Sequence, residues 1–228
     1  MQDRQRTYLP AAGRDWALPL YDPLVKLLGG DRVRRTLINQ AAVGPADRVL
    51  DIGCGTGTLA VMMKQLHPDL IVVGLDPDPK ALARARKKAG RAGVSIQFDQ
   101  GFSHELPYPS GFFNRVFSSF MFHHLEPGQR ENTLREVRRV LVPGGSLHLV
   151  DFEARQDHNE GWLARWLHSS HRLKDNRESR ILVLSRDAGF VNPRRLAGGA
   201  MLLGLLRIAC YQASVPARED GKQTAARV

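Results

Sequence analysis

One run constrains this chain more than any other: Val49-Leu50-Asp51-Ile52-Gly53-Cys54-Gly55-Thr56-Gly57, with Asp76 closing a second apolar run, Ile71-Val72-Val73-Gly74-Leu75. An apolar strand pattern enters a glycine-dense turn, a helical pattern follows, and the next strand ends on an acid. Glycine lacks a Cβ, so such a turn bends sharply and lets a ligand approach the backbone. A carboxylate about 20 residues past the glycines is placed to accept hydrogen bonds from ribose hydroxyls. The unit predicts a nucleoside-bearing cofactor at the C-terminal edge of a parallel sheet.

The spacing narrows the cofactor. A dinucleotide fingerprint needs GxGxxG, and Thr58 occupies the position of its third glycine. No phosphate-binding lysine follows, which excludes a P-loop. Through Asp51-Ile52-Gly53-Cys54-Gly55-Thr56-Gly57 the chain resembles the class I S-adenosylmethionine (SAM)-dependent methyltransferases. Gly101 to Pro109 and Phe112 to Leu125 resemble the third and fourth motifs of the small-molecule type, a group that includes the ubiquinone and menaquinone C-methyltransferases. Leu134-Arg135-Glu136-Val137 and Leu141-Val142-Pro143-Gly144-Gly145 are similar to the helix and turn that follow. The resemblance spans residues 45–152 and is specific for cofactor and fold rather than for substrate.

Strand and helix patterns alternate along that stretch. Strands are expected at Arg48 to Ile52, Ile71 to Leu75, Val94 to Phe98, Arg115 to Ser119 and Ser146 to Asp151. Helices are expected at Thr58 to Leu66, Pro79 to Ala89 and Arg130 to Leu141. Together with the resemblance this implies an α/β fold: a Rossmann-like, doubly wound, mostly parallel seven-stranded sheet with an antiparallel edge strand and a helical insertion. Residues 1–44 read as an arm followed by helices, with helical spacing from Tyr21 to Ala42 broken at Gly29-Gly30. Residues 45–152 are the cofactor core. Residues 153–180 carry an apolar stripe, Trp162, Leu163, Trp166 and Leu167, and are longer than a crossover needs, so they are expected to form a lid on the ligand side or a peripheral helix packed on the body. Residues 181–215 complete the sheet through a helix from Ile181 to Ala188, Val191 to Leu196, an apolar run around Met201 that fits strand or helix, and an edge strand from Arg207 to Ala213. Residues 216–228 read as a disordered tail.

The resemblance implies that Asp51, Gly53, Cys54, Gly55, Asp76 and Pro77 hold one end of the cofactor. Gly101, Phe102, Ser103 and Phe120 would line the other. Tyr21 resembles a tyrosine that covers the methionine end in some relatives. One departure stands out: many relatives carry an Asp for the adenine amino group where this chain has Phe102, so adenine is expected to be held by stacking or by backbone at Phe102 and Ser103. Methyl transfer from a sulfonium is an in-line displacement, dominated by alignment, and needs no metal and no covalent nucleophile. A base helps only where the acceptor loses a proton. His123 and His124, just past the fourth strand, are the candidates. His158, His168 and His171 are weaker, and with Glu160 they form no zinc spacing.

The net charge of +10 suits an acidic partner: nucleic acid, an anionic membrane surface or an acidic substrate. Arg84 to Lys88 and Arg135 to Arg139 lie on sheet-covering helices and read as solvated surface. Arg172, Lys174, Arg177 and Arg180 in the insertion offer peripheral membrane contact or a headgroup site. Two cysteines make no disulfide framework, no apolar run reaches a membrane span of about 18 residues, and the first residues lack a secretory core, so a cytoplasmic setting is expected. The leading reading is a methyltransferase acting on a small or lipid-like acceptor. Nucleic acid is not expected as a partner, because the Asn/Asp-Pro-Pro-aromatic motif of amino-adenine enzymes is replaced by Ser118-Ser119-Phe120-Met121. The alternatives are an RNA or protein methyltransferase and an inactive SAM-binding protein.

Overall fold

A computed structural model describes residues 29–153, 178–201 and 206–218. Its elements in chain order are α1 (Gly30–Gln40), β1 (Arg48–Ile52), α2 (Thr58–Leu66), β2 (Ile71–Asp76), α3 (Pro79–Arg91), β3 (Gln97–Gln100), β4 (Phe113–Ser119), a 3-10 turn (Phe122–His124), α4 (Pro127–Val140), β5 (Leu141–Phe152), α5 (Glu178–Asp187), β6 (Val191–Met201) and β7 (Leu206–Ser214). The seven strands lie in the order β3-β2-β1-β4-β5-β7-β6. β1 to β5 are mutually parallel, and β7 runs antiparallel to both of its neighbours.

Strand alternation sends adjacent residues to opposite faces. Val49 and Phe117 pack into one core with Leu37, Leu59 and Leu82, so α1, α2 and α3 cover that face. Leu50 and Val116 pack into a second core with Leu134, Val137 and Ile181, which places α4 and α5 opposite. A sheet covered on both faces needs strands apolar on both sides, and β1 is buried at four successive positions after Arg48.

Several boundaries differ from expectation for local reasons. β3 starts at Gln97 rather than Val94, because its register to β2 runs from Val73↔Gln97 to Asp76↔Gln100. α4 starts at Pro127 rather than Arg130. The Glu126 amide donates to Gln129 Oε1 at 3.1 Å, and proline fits the first helical position. β4 and β5 each begin earlier than expected, joined by a Phe113↔Leu141 pairing below a register shift.

The strand from 207 to 213 corrects the expectation at the edge. β7 lies inside the sheet, between β5 and β6, and β6 is the outermost strand. Ile208 and Cys210 join one core and Ala209, Tyr211 and Ala213 the other, so both faces of this strand are covered. Met201 pairs with Leu206, and residues 202–205 of the apolar run lie outside the described residues. The arm up to residue 28, the insertion from 154 to 177 and the tail from 219 lie outside the described residues. No helix among the described residues is long and apolar enough to cross a membrane.

Candidate active site

The C-terminal ends of β1, β2 and β4 meet at a cavity of about 460 Å³. Its floor is the turn from β1 to α2, where Gly53, Gly55 and Gly57 all take positive φ (64°, 53° and 74°). The reasons for glycine differ within this turn. A Cβ on Gly53 would lie 2.8 Å from Met121 Cβ and closer still to its Cγ, whereas one on Gly55 would meet nothing within 4 Å. Gly53 is therefore a packing glycine, and Gly55 opens on the cavity. The Cys54 amide donates to the Leu75 carbonyl at 3.0 Å, stitching the turn to β2. Burial beside Asp51 and Asp76 pushes the Cys54 thiol well up, so the side chain serves as a small filler.

Asp76 ends β2 with its carboxylate buried in the same wall. Oδ2 accepts the Gly55 amide at 2.8 Å and Oδ1 the Asp78 amide at 2.9 Å. Each oxygen keeps acceptor capacity for a hydroxyl. Burial pushes the Asp76 pKa up to about 6, with the two amide donors opposing the rise.

Asp51 is 1% exposed, and neither carboxylate oxygen makes a full hydrogen bond among the described residues, although the Ala60 amide lies close enough to favour its charged form. Burial pushes it up to about 7, the Arg34 charge opposes, and Asp76 adds to the rise. Arg34, on α1, is 6% exposed, lines the same cavity and sits 5.7 Å from the centre of the Phe120 ring. Its Nη1 is 3.4 Å from Asp31, and its buried Nε has no partner among the described residues. Sequence reading missed Arg34. The signal was a cation on the buried stripe of α1, beside Gly30, Leu37 and Ile38.

The other cavity wall follows β3 and β4. Pro77, Gly101, Phe102 and Ser103 line it, as do Phe120, Met121 and His124. A Cβ on Gly101 would be 2.9 Å from Leu75 Cδ1. The Ser103 hydroxyl is 3.0 Å from that of Thr133, so this side chain ties the loop to α4. Phe102 turns its ring toward His104, with centroids 5.3 Å apart. Asp99 is absent from the cavity wall and accepts from Tyr108 Oη at 2.9 Å and Gln97 Nε2 at 2.8 Å.

The two histidines separate. His124 lines the cavity, while His123 is 8% exposed and does not reach its wall. His123 Nδ1 is 2.5 Å from Asp151 Oδ1, and the two imidazole centres are 4.0 Å apart. Phe120 takes φ 56° at the end of β4, and this bend carries the chain into the 3-10 turn that presents His124. Tyr21, His158, His168 and His171 lie outside the described residues.

SAM combines an adenosine, a sulfonium and an amino-acid zwitterion. A buried carboxylate without a full hydrogen bond among the described residues (Asp51) beside a buried cation (Arg34) matches the zwitterion's ammonium and carboxylate, since buried charges require partners. Asp76 matches the ribose, and Gly55 leaves room beside it. The residues fit the group.

Residues 49–145 match the family described as a methyltransferase domain. Two curated relatives named demethylmenaquinone methyltransferase are similar: one from Thermus thermophilus, 40% identical over 59% of this chain and 61% of its own length, and one from Deinococcus radiodurans, 39% identical over 59% and 56%. Residues 49–145 carry a methyltransferase domain. The chain spans about three fifths of the length of these relatives. The fold of the methyltransferase domain is shared with a Haemonchus contortus phosphoethanolamine N-methyltransferase solved with phosphomonomethylethanolamine and S-adenosylhomocysteine. That protein is 15% identical with a TM-score of 0.70, covering 81% of this chain and 52% of that one.

Proposed function

We propose that the protein transfers a methyl group from SAM to a small, lipid-like acceptor, a hydroxylated quinol ring being the class best supported. The observation that carries this reading is one cavity running from the acids Asp51 and Asp76 to His124 and an apolar wall of Phe120, Met121 and Leu125. Two relatives named demethylmenaquinone methyltransferase support the ring class.

In this reading Asp51 takes the ammonium of the cofactor, Arg34 its carboxylate and Asp76 its ribose hydroxyls. Gly53, Cys54 and Gly55 form the floor. Pro77, Gly101, Phe102 and Ser103 enclose the adenine by shape and stacking in place of a carboxylate. Bound there, SAM supplies a methyl whose bonding pair stays on sulfur as a ring carbon of the acceptor takes the methyl and loses a proton. His124 accepts the proton from the acceptor hydroxyl, which raises the nucleophilicity of the ring carbon beside it, and returns it to that oxygen as the methylated carbon gives up its own proton to solvent. The apolar wall excludes water and aligns the ring. The basic residues Arg172, Lys174, Arg177 and Arg180 in the sequence suit a membrane-borne substrate.

The test is transfer of labelled methyl from SAM to a reduced demethylnaphthoquinol bearing a short prenyl tail. The expected result is a singly C-methylated ring, with His124→Gln binding S-adenosylhomocysteine normally and turning over at least tenfold more slowly. Tight cofactor binding with no transfer to any quinol, phenol or amine would favour an inactive SAM-binding protein.

A further inference from the structure

A fully buried carboxylate stands behind the two histidines, and the reaction as described leaves it unused. Asp151 lies near the C-terminal end of β5, at 0% exposure. Its Oδ2 accepts the His123 amide at 2.7 Å, and its Oδ1 accepts the Phe152 amide at 2.8 Å and meets His123 Nδ1 at 2.5 Å. The two amides reach different oxygens, so an asparagine, with a single carbonyl oxygen, would leave one of them facing its NH2 group. Burying a charge is costly unless it is paired, and the partner that rewards a carboxylate here is the imidazole. An ionised carboxylate only accepts, so the proton of the pair sits on Nδ1.

The His123 ring is then clamped. Phe152 meets it edge-on with centroids 5.2 Å apart, and Arg130 Nη2 donates to the His123 carbonyl at 3.3 Å. His124 also packs against the ring, tilted 40° with centroids 4.0 Å apart, and His124 lines the cavity. We propose that Asp151 is a positioning residue for methyl transfer: by fixing the backbone and ring of His123 it sets the ring of His124 toward the acceptor. This rests on His124 as the base, and the experiment separates the two.

The test uses the full chain with ¹⁵N-labelled histidine. In the unmodified protein, long-range proton–nitrogen spectra should show His123 protonated at Nδ1. Protonation of His123 at Nε2 alone overturns the proposal. Asp151→Asn should keep S-adenosylhomocysteine affinity within about threefold, shift the His124 ring nitrogens, and cut turnover of the quinol at saturating SAM at least tenfold. Normal turnover in this variant overturns the proposal. So does a joint loss of affinity and turnover with the His124 signals unmoved, which marks a folding role. Should Asp151→Asn fail to fold, His123→Gln keeps a donor for the carboxylate and should reproduce the selective loss of turnover; full activity there overturns the proposal too. If the unmodified protein methylates no quinol, the proposed acceptor class falls while the nitrogen spectra still decide the role of Asp151.

Discussion

The cavity has two ends made in different ways. On the β1–β2 side the chain itself forms the site: three glycines at positive φ, with amides of Gly55 and Asp78 gathered by the single carboxylate of Asp76. On the β4–β5 side side chains form it, with His124 presented by a 3-10 turn that Asp151 ties down from the neighbouring strand. A site made by backbone needs particular residues close together in the chain. A site made by side chains needs only that the fold bring them together. The first end should thus fail as a unit when one residue is changed, and the second should lose chemistry while keeping the cofactor.

The largest effect is expected at Asp76. Its carboxylate makes the two charge-assisted bonds that shape the cradle and is the acid proposed for the ribose, each bond contributing about 1.5–3 kcal/mol. Asp76→Ala should lower S-adenosylhomocysteine affinity at least a hundredfold and also lower the melting temperature. Calorimetry and a thermal melt check both. A loss of affinity with an unchanged melt would mean that the cradle holds its shape without Asp76, and the contrast between the two ends would weaken.

Next come the two cradle glycines, which separate packing from access. Gly53→Ala adds a Cβ against Met121 at a positive φ. Overpacking costs about 1–3 kcal/mol and the left-handed backbone about 1–2 more. Gly55→Ala meets nothing within 4 Å, so only the backbone cost applies to stability, while the methyl enters cofactor space. The expected pattern is a large melting shift with Gly53→Ala, and a small shift with at least tenfold weaker S-adenosylhomocysteine binding for Gly55→Ala. Equal melts for the two would show that Met121 yields easily.

These cases mark what the sequence could tell. The cradle was legible because backbone geometry forces glycine, and because Asp76 must follow at the end of the adjacent parallel strand. Even so, spacing alone gave Gly53 and Gly55 one common reason, while packing gives them two. Arg34 and Asp151 were invisible as site residues. Arg34 looks like any cation on a helix until the helix is seen to turn it inward, and Asp151 reaches His123 only through the pairing of β4 with β5. β7 was misplaced at the edge because a strand's own pattern does not say which neighbour pairs beyond it.

A smaller effect concerns pH. Asp51 and Asp76 have pKa values pushed up to about 7 and about 6, from an ordinary value of 3.8. For an acid raised in the folded state, the unfolded chain gives up its proton first. The contribution to stability is thus full below pH about 4 and lost as pH climbs through 6 and 7. A cationic ammonium reverses this locally by favouring the ionised carboxylate. The melting temperature without ligand should fall between pH 5 and 7.5, and S-adenosylhomocysteine affinity should rise over the same window, by about tenfold per unit for each group at most. Calorimetry in buffers of different ionisation enthalpy should show proton release near pH 6. Asp51→Asn should flatten the upper part of that dependence, and an unchanged profile would take Asp51 out of the ammonium site.

The smallest effect is expected at Asp99, and it sharpens the comparison by its absence from the site. This acid ends up in β3 beside the cofactor loop, close in sequence to Phe102, where many relatives carry the adenine-binding carboxylate. Strand alternation turns it away from the cavity, and its Oδ2 accepts from Tyr108 and Gln97. Tyr108 in turn packs edge-on against Phe113, with centroids 5.0 Å apart, so the bond fastens the loop after β3 to the core at the base of β4. Asp99→Ala should therefore cost about 1–2 kcal/mol of stability, the worth of one half-buried hydrogen bond to a charged group, and leave S-adenosylhomocysteine affinity within about twofold. Tyr108→Phe should cost a similar amount, and the double variant should cost little more than either single one, since both remove the same bond. A tenfold loss of affinity for Asp99→Ala would place the adenine on this carboxylate after all, and the aromatic wall at Phe102 would then not be what replaces the missing acid.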